Sequence, residues 1–185
     1  MAKRTRTAAA MAVAALLGAS QLSAAAEPAS APLDLSANQT HVRAASPALS
    51  AAIHEAMERS ATFRGLVAAI DASDSYVFIT EGDCGHGVRA CFVNVRSAGP
   101  YRFMFVRIDP RKSGCELMRS IGHELRHTIE VIGDPSVRTD ADKFFFYERI
   151  GTKSVGGTPE TFAAMEAGNA VRAEINRFNR LAKSE

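Results

Sequence analysis

Charge of one sign is what this chain lacks most. Its 185 residues carry 22 basic and 20 acidic side chains. No basic patch interleaved with aromatics stands out along it, so a nucleic-acid partner is not expected. Long apolar runs are missing too. The most apolar stretch, residues 8–18, falls well short of the ~20 residues a membrane-spanning helix needs. No internal repeat is present, which excludes a repeat array. Cysteine is scarce, with three residues in all.

The first residues read as an address rather than as fold. Lys3, Arg4 and Arg6 form a positive start, residues 8–18 a short apolar core, and Ser23, Ala24, Ala25 and Ala26 a small-residue cleavage site before Glu27. A secretory signal peptide over 1–26 is therefore expected, with an exported product, periplasmic or secreted, that keeps no membrane span. Three basic residues and no acid fall within 1–26, so the remaining 159 residues carry 19 basic against 20 acidic side chains. That is one domain's length. Residues 27–45, rich in Ala, Ser and Pro, read as a flexible lead-in, and 46–185 as a single domain. In an oxidising compartment Cys84 and Cys91, which flank a short loop between two strand-like runs, are expected to pair. Cys115 is left over and reads as a small buried side chain.

The coarse pattern is α+β. Ser46 as N-cap and Pro47 at the first helical position begin a helix over 46–60, and 62–71 continue as a second. Alternation then predicts three strands, at 76–80, 91–95 and 101–108, the last two joined by Ser97-Ala98-Gly99-Pro100. Short sequential connections predict an antiparallel meander. A further helix follows near 113–132 and a long one closes the chain.

That further helix carries the chemistry. Ile121-Gly122-His123-Glu124-Leu125-Arg126-His127-Thr128 contains His-Glu-x-x-His. Residues i and i+4 share a helix face, so two imidazoles can address one ion, with Glu124 close enough to take a proton from a water on it. Three fixed residues are a weak signal alone; the setting strengthens it. Ser113 and Glu116 make a capping box, and Gly133 and Pro135 mark the stop. Leu117, Met118, Ile121, Leu125, Ile129 and Ile132 predict one apolar face, with Glu116, Ser120, His123, His127 and Glu130 as a polar stripe opposite. A merely solvated stripe ordinarily takes Lys, Glu, Arg or Gln rather than two histidines flanking a glutamate.

On these residues the chain resembles the zincin metallopeptidases. The metzincin extension is absent, since Glu130 and Gly133 occupy the places of its glycine and third histidine; the gluzincin pattern, with a glutamate from a later segment, fits better. The resemblance implies a small zincin-like domain holding Zn²⁺ through His123 and His127, with Glu124 as general base and a peptide or protein substrate. Three glutamates compete for the third ligand position. Glu130 lies ~7.5 Å along the axis from an ion level with residue 125, which suits it to orienting a histidine or pairing with an arginine. Glu160 is preferred, read as a first-turn residue after Thr158 (N-cap) and Pro159, on the apolar face of the last helix; Glu148, at the end of an aromatic helix, is the alternative. Tyr147, Tyr101 or an arginine is left to stabilise the oxyanion. The competing reading is a non-enzymatic binding protein with a closed, structural zinc site.

Overall fold

A computed structural model describes residues 40–85, 87–109, 111, 114–153 and 159–184. The expected signal peptide, most of the lead-in, His86, Ser113 and Thr158 lie outside the described residues. The elements run β1 (Val42–Ala44), α1 (Pro47–Arg59), α2 (Ala61–Asp71), β2 (Ser75–Glu81), β3 (Ala90–Ala98), β4 (Tyr101–Ile108), α3 (Gly114–Ile132), α4 (Asp140–Ile150), β5 (Thr152–Lys153), β6 (Pro159–Glu160) and α5 (Phe162–Leu181). The α+β class and the long C-terminal helix are as expected. None of the described helices is long and apolar enough to cross a membrane.

The sheet departs from the expected meander. Its order is β1-β2-β4-β3, with β1 parallel to β2, β2 parallel to β4, and only β3 and β4 antiparallel. Composition explains the exchange of places. β4 offers Phe103, Met104, Phe105, Val106 and Ile108 and takes an interior position, while β3 carries Asn94, Arg96 and Ser97 and takes the edge. The connection over 82–89 is long enough to pass one strand, a lateral distance of ~9.6 Å. The tight β3–β4 turn is as expected, with Gly99 at φ 56°. The end of the supposed lead-in is also structured: Val42 is buried and residues 42–44 add β1 to the sheet.

Capping residues set the helix starts. Ser46 accepts from the Leu49 amide and Ser60 from the Phe63 amide. Helices α1, α2 and α3 cover one sheet face, with α5 packed against all three; Val77, Ile79, Val95, Met104, Val106 and Ile108 of that face form the core with Met118, Ile121 and Leu125 of α3.

Helix α3 is enclosed beyond its one apolar face. Ser120, Glu124, His127 and Thr128 are buried along with its apolar residues. Its polar stripe faces α5, and two glycines let the helices close. A Cβ on Gly122 would lie 2.9 Å from Val171 Cγ2, and one on Gly168 would lie 3.1 Å from both the Arg119 carbonyl and His123 Cβ. The C-terminal end of α3 is held by Arg102, only 3% exposed. Its guanidinium donates to Asp74 (2.9 Å) and to the carbonyls of Val131, Ile132 and Asp134 (3.0–3.1 Å). A cation at the negative end of the helix dipole is favourable there, and it satisfies carbonyls that lack a helical partner.

Candidate metal centre

One turn of α3 brings His123 and His127 together, with ring centroids 4.9 Å apart and nearly perpendicular. The third group arrives from β6. Glu160 Oε1 lies 3.3 Å from His123 Nε2 and 3.2 Å from His127 Nε2. Four ligands at 2.0–2.1 Å in a tetrahedron stand ~3.3 Å from one another, so this spacing suits a small cation. The group His123, His127 and Glu160 could hold a metal ion.

Glu160 is not where the sequence pattern put it. It precedes the helix: Pro159–Glu160 pairs with Thr152–Lys153, and Thr161 is the N-cap of α5, its hydroxyl accepting from the Ala164 amide at 3.1 Å. Thr158 and Thr161 are both able caps. Thr161 has the stronger claim because its hydroxyl also donates to Glu130 Oε1 at 2.7 Å. Glu148 is exposed on α4 and does not join the group.

Glu130 lies beside both a histidine and an arginine, with Arg126 Nε 3.9 Å from its Oε1. Its Oε2 lies 3.0 Å from His127 Nδ1. Holding Nδ1 this way fixes the imidazole and turns Nε2 toward Glu160. Tyr147 braces the same residue from α4, with its ring edge-on to the His127 ring at 5.3 Å and its hydroxyl donating to the His127 carbonyl at 2.8 Å. That bond occupies the hydroxyl and makes Tyr147 a support. Tyr101 begins β4, at the end of the sheet away from the cleft.

The local charge is strongly negative. Glu124 is buried and its Oε1 lies 4.0 Å from His123 Nε2. Burial works against charging His127, yet the bonds to Glu130 and Glu160 and the charge of Glu124 prevail and raise its pKa to about 9. Burial would raise Glu160, but His123 and His127 hold it well below the usual carboxylate range. Glu130 is likewise lowered, against burial, by His127, Thr161 and Arg126. Three carboxylates around two imidazoles in a half-buried place suit an added cation.

Two cavities meet at these side chains. The first, about 250 Å³, has His123, Glu124, His127 and Glu160 as its floor, Val88, Ala90 and Phe92 on one wall and Lys143, Phe144 and Tyr147 on the other. The second, about 240 Å³, adjoins His123, Glu124 and Glu160 from the far side and carries Arg89 and Arg119. Ala90, at the start of edge strand β3, borders both. Further along, that edge is taken. Lys143 Nζ donates to the carbonyls of Phe92 and Val93, and Asp140 accepts from the Val95 amide. The expected disulfide between Cys84 and Cys91 is present, at the mouth of the first cavity. Cys115 is half-buried, its thiol 3.1 Å from Asn176 Oδ1.

Sequence reasoning missed Thr161 and Lys143. Gly168 was legible as a buried position of the last helix, from its spacing with Ala164, Val171 and Ile175. Compared with protein-family models, with curated proteins and with solved structures, the chain matches none.

Proposed function

We propose that the chain is an exported zinc-dependent hydrolase of gluzincin-like design that cleaves peptide bonds. In this reading His123, His127 and Glu160 hold the metal and Glu124 moves the proton. The observation that carries it is the convergence of two imidazole Nε2 atoms on one carboxylate oxygen, at 3.2 and 3.3 Å, beside a buried glutamate and an open cleft. Two imidazoles and one carboxylate form a donor set that suits Zn²⁺. A zinc ion held there supplies an acidified water and a Lewis acid for the scissile carbonyl.

The chain's own groups do the rest. Glu124 accepts the proton of the attacking water and returns it to the leaving amine. Glu130 keeps His127 Nδ1 occupied so that Nε2 stays available. Ala90 borders the cleft on edge strand β3, where an extended peptide can add one main-chain pairing. Val88, Phe92 and Phe144 offer apolar walls to a neighbouring side chain.

The non-enzymatic alternative needs a closed set of ligands. Among the described residues a fourth protein ligand does not join the three. Glu130 is turned to His127 Nδ1 and Thr161, and Cys115 to Asn176. Three donors beside a cleft favour catalysis.

Metal analysis and a peptide-cleavage assay test the reading. About one zinc per chain is expected, lost in the His123→Ala/His127→Ala double variant. Glu124→Gln should keep the metal and lose hydrolysis. A chain that binds no zinc, or a Glu124→Gln protein of full activity, refutes the assignment. Export is checked separately, by finding the mature N-terminus near residue 27 in the exported fraction.

A further inference from the structure

The sheet face turned away from the helices has a composition of its own. Register places side chains on it in rows across the strands. One row runs Arg43, Phe78, Phe105, Asn94; the next runs Tyr76, Phe103, Arg96; a third holds Thr80 and Arg107. Phe78 stacks on Phe105 with centroids 5.4 Å apart and 19° between planes, and Tyr76 on Phe103 at 5.8 Å and 16°. Each stacked pair is thus flanked by an arginine, Arg43 for one and Arg96 for the other, and no carboxylate stands in any of these rows.

Two observations point to a ligand. No described helix covers this face, because α1, α2, α3 and α5 lie together on the other side and α4 sits against the β3 edge. The arginines have few acidic partners among the described residues: Arg96 is 65% exposed and reaches Asp140 at 3.5 Å, and Arg107 donates to the Asp83 carbonyl.

We propose that this face binds single-stranded nucleic acid, with bases stacking on the Tyr76–Phe103 and Phe78–Phe105 pairs and phosphates pairing with Arg43, Arg96 and Arg107. Rows two residues apart along a strand stand ~6.8 Å apart, about twice the 3.4 Å base rise, so successive rows address nearby bases. Aromatic platforms with a cationic rim bind single strands in this way. A second copy of the chain fits poorly, because face-to-face contact would oppose arginine to arginine. The inference does not depend on the metal centre.

The test is fluorescence anisotropy of the full chain with a labelled 12-nucleotide oligothymidylate, beside the same length of duplex. Saturable binding that favours the single strand is expected. Three phosphate contacts predict a loss of about 20-fold between 50 and 200 mM salt. Phe105→Ala should weaken binding at least about fivefold, and Arg96→Glu about tenfold. Phe105→Leu keeps the apolar bulk, so its loss of binding with an unchanged unfolding midpoint separates stacking from folding. Absence of binding at 50 mM salt overturns the proposal. So does binding indifferent to Phe105→Leu, which would mean charge alone. So too do face variants that leave oligothymidylate binding unchanged and abolish self-association instead.

Discussion

The candidate metal end of the molecule and the outer face of its sheet are opposites in charge. Around His123 and His127 stand Glu124, Glu130 and Glu160; beside the stacked rings stand Arg43, Arg96 and Arg107. The chain as a whole carries only +2. Segregation of this kind is invisible in a sum, and so a near-neutral total cannot exclude an anionic partner. The two regions also differ in how their polar atoms are satisfied. At the metal end most are linked, from Tyr147 through His127 and Glu130 to Thr161. The sheet face holds two buried atoms with no partner among the described residues.

The sharpest way to break this contrast is at the centre of the acidic region. Glu124→Gln should reduce peptide hydrolysis at least about 10³-fold while leaving zinc content intact, read by initial rates and metal analysis. It should leave binding of oligothymidylate at the sheet face unchanged; a shared loss would mean that the two regions are one site.

Next in size is Arg102→Leu. It removes a buried cation and leaves the Ile132 carbonyl unpaired and Asp74 without its counter-charge, while the Val131 and Asp134 carbonyls keep the amides of Asp134 and Val137. A loss of about 3 kcal/mol in urea unfolding is expected, with Asp74's half-exposure limiting the effect.

Thr161→Val tests the linked network itself. It deletes the hydroxyl that joins Glu130 to the start of α5 and should weaken zinc binding about tenfold, measured by chelator competition. Unchanged affinity would show that Glu130 holds His127 without help.

Gly168→Ala should cost about 1 kcal/mol net, since the 3.1 Å approach to the Arg119 carbonyl outweighs alanine's helical preference.

pH should act on the metal-free protein as well. The folded state holds the His127 proton more tightly than the unfolded chain, with a pKa of about 9 against 6.5. That contribution to stability is fully present below pH 6.5 and lost as pH rises through 9, so the unfolding midpoint in chelator should fall across that window. Zinc affinity should move the other way over the same range, because binding displaces protons.

Much of the site was legible because its information is local. Two histidines four apart on a helix share a face whatever surrounds them, and Glu130's axial offset gave its supporting position beside His127. Glu160 was chosen for the wrong local reason. A helix start was read at Thr158, whereas the residue sits on a short strand ahead of Thr161. Caps are decided by which threonine finds a second partner, and Glu130 lies 31 positions away from Thr161.

Local pattern determined the long helices, the three longest strands, the disulfide pair and the imidazole spacing, because each depends on residues within a few positions. Tertiary structure alone decided the strand order, the burial of α3 on all sides and the arrival of Glu160. It also decided the gathering of arginines and rings on one face. Those outcomes turn on contacts between distant segments, where the relative apolarity of β3 and β4 and two glycines between α3 and α5 settle which surfaces meet.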